Sequence, residues 1–162
     1  LYNNPITCLP GDLGMQLKKL TQLRFGKEPN CVQEFPCHVH NLYHLFIKYP
    51  GFSDIKNCNI FKINLDLQIL QLDHGYIAVM PSLKHATKLQ SLSLQDNNIS
   101  GLISNTDIPR QNVLRTVQLQ KNKITFISSY FFINMTSLKL LNLNENQMTA
   151  LVNLRTYLSP GI

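Results

Sequence analysis

Four cysteines, a run of histidines, two glycan acceptors and a group of aromatic and basic side chains carry what chemical potential this chain has. His38, His40 and His44 form an H-x-H-x-x-x-H string, a set of imidazoles of the kind that ligates zinc or another borderline metal. Cys8, Cys31, Cys37 and Cys58 could supply thiolates or disulfides, but they lack the paired C-x-x-C spacing of a zinc site. Asn98 in "NIS" and Asn134 in "NMT" are glycosylation acceptors if the chain is secreted. With 17 Asn and 19 Ser plus Thr in 162 residues, about two such triplets are expected by chance, so they permit an extracellular setting without establishing it. A Gly-rich phosphate loop, a nucleophile elbow and a carboxylate pair outside exposed positions are all missing. No enzyme, no cofactor and no metal is expected.

What must position these groups is a repeat. The phrase "LQDNNISGL" (Leu94 to Leu102) returns as "LQKNKITFI" (Leu119 to Ile127) and as "LNENQMTAL" (Leu143 to Leu151). The pattern is L-x-x-L-x-L-x-x-N-x-I-x-x-L, with first positions at Leu20, Leu42, Leu67, Leu89, Leu114 and Leu138. The opening "LYNNPITCLP" enters mid-pattern, with Leu1, Asn4, Ile6 and Leu9 at positions 6, 9, 11 and 14. Residues 1–162 therefore read as one solenoid of about six and a half repeats. Because neither end carries a polar cap, the chain is expected to be an internal piece of a longer ectodomain.

Apolar residues at positions 4 and 6 with polar neighbours give period-2 alternation, a short half-buried strand. One such strand cannot bury its apolar face alone, but stacked repeats set the strands in a parallel sheet over a continuous Leu core. Strands are expected near 22–25, 44–47, 69–72, 91–94, 116–119 and 140–143. The position-9 Asn turns the chain, and its amide satisfies loop backbone groups. Asn4, Asn97, Asn122 and Asn146 occupy that column, whereas Glu28, Pro50 and Gly75 interrupt it in the middle repeats.

Over nearly its whole length the chain resembles the leucine-rich repeat family. The stretch "LRTVQLQKNKITFISSYFFINMTSL" is most similar to the extracellular animal type found in Toll-like receptor ectodomains. The resemblance implies an α/β-type horseshoe with a parallel β-sheet on the concave face and irregular convex connections. It also implies that Phe132 and Met135 are buried on the convex side, and that the asparagine column forms a hydrogen-bonded ladder. In the repeat alignment Cys37 and Cys58 fall at nearly the same convex position of adjacent repeats, and Cys8 and Cys31 lie near each other after the first two strands. Stacking brings such positions within disulfide range, so Cys37–Cys58 and Cys8–Cys31 bridges are expected. Four buried free thiols in a reducing compartment are the alternative. His44 falls on a strand while His38 and His40 precede it, so the three are not expected to converge on one ion.

The remaining convergent surface is the outward face of the strands. There the repeat from Leu42 carries Tyr43, Phe46 and Tyr49 with His44 and Lys48, flanked by Arg24 and Lys27 on one side and Asp73 and His74 on the other. Exposed aromatics beside Arg are what binding hot spots are made of. Later strands present Gln90, Ser91, Ser93, Gln95, Gln118, Gln120 and Asn142, a plainer polar face. The net charge of +6 favours acidic partners but is spread along the chain, so nucleic acid is open rather than indicated.

The expected function is protein or ligand recognition in a receptor ectodomain, with innate sensing and receptor pairing implied by the Toll-like resemblance. It would sit extracellularly, at the cell surface or in the endosomal lumen, and join a membrane only through segments beyond this piece. An adhesion or matrix protein, and an intracellular scaffold, are the rival classes.

Overall fold

The computed structural model describes residues 16–26, 39–48, 60–103, 108, 113–132 and 135–149. Eight strands follow in order: β1 (Gln22–Gly26), β2 (His44–Lys48), β3 (Ile69–Asp73), β4 (Ser91–Ser93), β5 (Ser100–Ile103), β6 (Thr116–Gln118), β7 (Lys123–Ile127) and β8 (Leu140–Asn142). Six of them form one parallel sheet in the order β1-β2-β3-β4-β6-β8. All six fall on the segments that the repeat pattern marks, and the pairing keeps pattern position against pattern position: Leu23, Leu45, Leu70, Leu92, Val117 and Leu141 stand side by side. The fold is thus a solenoid of stacked parallel strands, in which the helical elements that lie wholly among the described residues are a short α1 (Ile60–Ile63) and a 3-10 turn at Ser129–Phe132.

The core follows directly from that register. Positions 4 and 6 of the strands from Leu23 to Leu119, together with first-position Leu42, Leu67, Leu89, Leu114 and Leu138, form one buried cluster, against which the half-buried Leu141 and Leu143 pack. Ile77, Ile99 and Ile124 close it beyond the turn. On the far side Phe132 and Met135 are buried as the repeat subtype implies, and Phe131 packs edge-on against Phe132 with ring centroids 5.0 Å apart.

Two features depart from the pattern. The connections are not wholly irregular: β5 and β7 pair in a second parallel sheet of two strands. Within it the register slips between Gly101 and Leu102, where Gly101 adopts φ +81°, a region glycine enters without the steric cost of a Cβ. The slip turns position-14 Leu102 outward, 59% exposed, and sends Ile103 inward in its place. Leu102 is therefore not the core residue that the pattern makes it.

The asparagine column does form a ladder. Asn97 accepts the Ile77 N–H at 3.1 Å through Oδ1, and its Nδ2 donates to the carbonyls of Leu72 (2.8 Å) and Leu94 (3.1 Å). Asn122 repeats this with the Ile99 N–H and the Leu94 and Leu119 carbonyls, and Asn146 with the Ile124 N–H and the Leu119 and Leu143 carbonyls. Each side chain thereby ties its own turn to the preceding one. Just before it, His74, Asp96, Lys121 and Glu145 all sit at left-handed φ between 55° and 60°, a strained conformation for residues with a side chain. The turn they make keeps the main chains paired beyond the strands: His74 N–H donates to Gln95 O, and Asp96 N–H to Gln120 O, each at 2.9 Å.

In the interrupted region a different asparagine does comparable work at the other end of the strand. Asn64, 1% exposed, accepts the Leu42 N–H at 2.6 Å and donates to the carbonyls of Val39 (2.7 Å) and Ile60 (2.9 Å). It occupies the column where the other repeats carry Leu17, Val39, Ala86, Gln111 and Met135. Asn4, Glu28 and Pro50 lie outside the described residues.

Candidate functional site

Alternation places positions 3, 5 and 7 of each strand on the face opposite the Leu core. In the central row Arg24, Phe46, Gln71, Ser93, Gln118 and Asn142 follow one another across the sheet. The sequence marks Arg24 and Phe46 separately; the structure stacks them, with the guanidinium carbon 4.3 Å from the ring centroid. Cation–π attraction of this kind holds an Arg in place while leaving it charged. His44 meets the same ring edge-on, with centroids 6.0 Å apart and planes at 80°. Parallel pairing of adjacent strands accounts for the stack: position 5 of one repeat lies beside position 5 of the next, about 4.8 Å away.

Lys48 stands in register between Gly26 and Asp73. A Cβ on Gly26 would come within 2.8 Å of the Lys48 Cβ, so the glycine clears the space into which the Lys48 stem packs. Tyr43, 41% exposed, precedes the strand rather than lying in its outward row, and its backbone links the first and third repeats through Thr21, Gln68 and Ile69.

Asp73 is on the outward side of β3 but does not reach solvent. It is 1% exposed, and its carboxylate accepts from Ser93 Oγ (2.6 Å), Gln71 Nε2 (2.5 Å) and the Gln95 N–H (3.1 Å). Burial pushes its pKa above the usual carboxylate value of 3.8, against the opposing pull of these hydrogen bonds. It organises neighbouring side chains from beneath instead of meeting a partner. Beside it, His74 Nδ1 bonds Asp96 Oδ2 at 2.7 Å.

The structure thus gathers Arg24, His44, Phe46 and Lys48 on two adjacent strands, with Tyr43 at their entry and His74 one strand further on. Lys27, Tyr49, the four cysteines, His38 and Asn134 lie outside the described residues. Asn98 is half-buried next to Asn97, and its N–H donates to the Ile77 carbonyl at 2.9 Å. Among the described residues no three His, Cys, Asp or Glu side chains come together to hold a metal. No helix of the described residues is long and apolar enough to cross a membrane. Gln71, Ile69 and Asn64 escape a reading of residue type alone. The first two are ordinary residues at outward positions, and the third stands in a column that the repeat from Leu114 also fills with a polar residue, Gln111, so type alone does not single it out.

A parallel solenoid whose outward strand positions carry stacked aromatic and cationic groups belongs to the class of repeat proteins built for surface recognition. Residues 112–154 match the family model described as leucine rich repeat, which supports a leucine-rich repeat family; such domains are generally non-catalytic modules that bind proteins. No curated protein matches the chain.

Proposed function

We propose that the chain is a non-catalytic protein-recognition module, part of a leucine-rich-repeat receptor ectodomain of the extracellular, Toll-like kind, and that it binds through the outward face of β1, β2 and β3. The Arg24–Phe46–His44 stack carries the proposal: a large ring and a fixed cation on a strand face are the ingredients of an interface anchor. Support for the extracellular setting comes from the repeat subtype that residues 114–138 resemble, with which the two glycan acceptors are compatible.

Peptides selected from a randomised display library against the intact chain test the recognition surface. Phe46→Ala is expected to weaken their binding by about 1–3 kcal/mol, while Gln118→Ala leaves it unchanged. Equal binding by the two variants overturns the assignment. Thiol titration without reductant tests the setting: no free thiol is expected from the four cysteines, and four reactive thiols would place the chain in a reducing compartment.

A further inference from the structure

Gln71 stands between Phe46 and Ser93 in the central row of the face proposed above, on which this inference rests. A carboxamide has a carbonyl end that accepts hydrogen bonds and an NH2 end that donates them, the two nearly equal in size. Which end faces outward decides what a partner must bring. Asp73 makes that choice. As a carboxylate it accepts hydrogen bonds and has none to give, so Gln71 turns its Nε2 to Asp73 Oδ2, at 2.5 Å. Gln71 Oε1 makes no hydrogen bond among the described residues, and on this half-buried side chain it stays open to solvent. We propose that Asp73 is a specificity-determining residue. It holds Gln71 so that the face accepts a hydrogen bond beside the Phe46 ring, and the partner is a polypeptide that places an N–H or O–H donor there.

The other bonds of the carboxylate fix its orientation. Asp73 Oδ1 accepts from Ser93 Oγ at 2.6 Å and from the Gln95 N–H at 3.1 Å. A hydroxyl can reverse its role, but the Gln95 N–H belongs to the main chain and only donates. The atom facing it must therefore be an acceptor. Every role follows from that fixed end: backbone donor, Oδ1 and Oδ2 as acceptors, Gln71 Nε2 as donor, Gln71 Oε1 outward. Asp73 is 1% exposed, so bulk solvent does not compete for these bonds. A partner group that only accepts, such as a carboxylate, is disfavoured opposite Gln71, because it would set oxygen against oxygen.

The same logic makes the face invertible by one atom. In Asp73→Asn the amide oxygen keeps its place against the Gln95 N–H, which leaves the new NH2 facing Gln71. Two NH2 groups cannot bond each other, so the Gln71 carboxamide turns over. It then gives Oε1 to that NH2 and shows its own Nε2 outward. Gln71 is half-buried, so the outward NH2 meets water and no enclosed atom is left without a partner. Exchange of an oxygen for a nitrogen, with hardly any change in volume, thus converts an acceptor on the face into a donor.

Two sets of peptides from a randomised display library serve as probes, one selected against the native chain and one against Asp73→Asn. Binding is read by fluorescence anisotropy on the full chain at neutral pH. The first set is expected to lose about tenfold in affinity on Asp73→Asn, the cost of facing a donor with a donor. The second set should show the opposite preference. With Gln71→Ala in place, Asp73→Asn should no longer matter to either set. That background separates the orientation of the carboxamide from the loss of charge at Asp73, which occurs in both.

Side-chain NMR of the free chain reads the orientation without any ligand. In the native chain the Gln71 Nε2 proton held by Asp73 should exchange more slowly than those of the exposed Gln147, and in Asp73→Asn both Gln71 protons should exchange fast. Three results overturn the inference while leaving the face in place: unaltered exchange at Gln71 in Asp73→Asn, native-selected peptides indifferent to Asp73→Asn, or an affinity loss that persists with Gln71→Ala. Peptides indifferent to Phe46→Ala reject the face itself, and the inference with it.

Discussion

Replacing Asn97 with Ala removes one rung of the ladder, and its cost can be worked from the bonds that rung makes. Four backbone groups meet the side chain. The Leu94 carbonyl keeps a donor in Asn122 Nδ2, and the Gln95 carbonyl keeps the His74 N–H. The Ile77 N–H, which has one proton to give, loses its acceptor, and the Leu72 carbonyl loses its 2.8 Å donor. Both lie in the buried seam between the two repeats. An orphaned buried polar group costs about 1–3 kcal/mol, so roughly 2–6 kcal/mol is expected for the two. That is a large share of a domain stability of about 5–15 kcal/mol. Urea unfolding followed by circular dichroism measures the loss against Gln147→Ala, an exposed control expected within about 0.5 kcal/mol of the native chain. Amide exchange should show the Ile77 N–H among the most accelerated protons. If Asn97→Ala costs no more than Gln147→Ala, the side chain does not hold the turns together and the reasoning fails.

Other perturbations probe the rest of the frame. Asp73 has a raised folded pKa, so its ionisation costs stability as pH climbs from 3.8 through the folded value; the stability of Asp73→Asn relative to the native chain should therefore increase over that rise, and a pH-independent difference in urea midpoint would contradict this. Asn64→Leu should lower stability by about 2–4 kcal/mol, since it orphans the Leu42 N–H and the Val39 carbonyl; a neutral result in the same urea assay would show that the seam admits water. Gly26→Ala forces a Cβ against the Lys48 Cβ at 2.8 Å and should cost about 1–3 kcal/mol, with chemical shifts moving at Lys48; an unchanged melting temperature would count against the close approach.

The strands were legible because a repeat restates its rule: Leu45 and Ile47 are ambiguous alone, yet they align with Leu70 and Leu72, Leu92 and Leu94, and Val117 and Leu119. The ladder was legible for the same reason. What escaped depends on contacts between repeats. Leu102 matches the pattern, but a one-residue slip at Gly101 reverses the faces of the strand, which periodicity cannot foresee. Asp73 has the alternation of an outward residue, and only the Ser93, Gln71 and Gln95 groups closing over it make it buried. Asn64 lies outside the motif column altogether. For the candidate face, the sequence marked Arg24, Phe46 and His44 by type and position. Their stacking arises from side-by-side pairing of positions more than twenty residues apart.

Whether partners meet the outward face of β1 to β3 is decided most directly by an amide-exchange and chemical-shift footprint of a display-selected peptide on the full chain. The account predicts perturbation centred on Arg24, Phe46, Lys48 and Gln71, and its loss together with binding in Phe46→Ala. A footprint on the exposed Leu102 and Phe126 of the second sheet, with the Phe46 region silent, would contradict it.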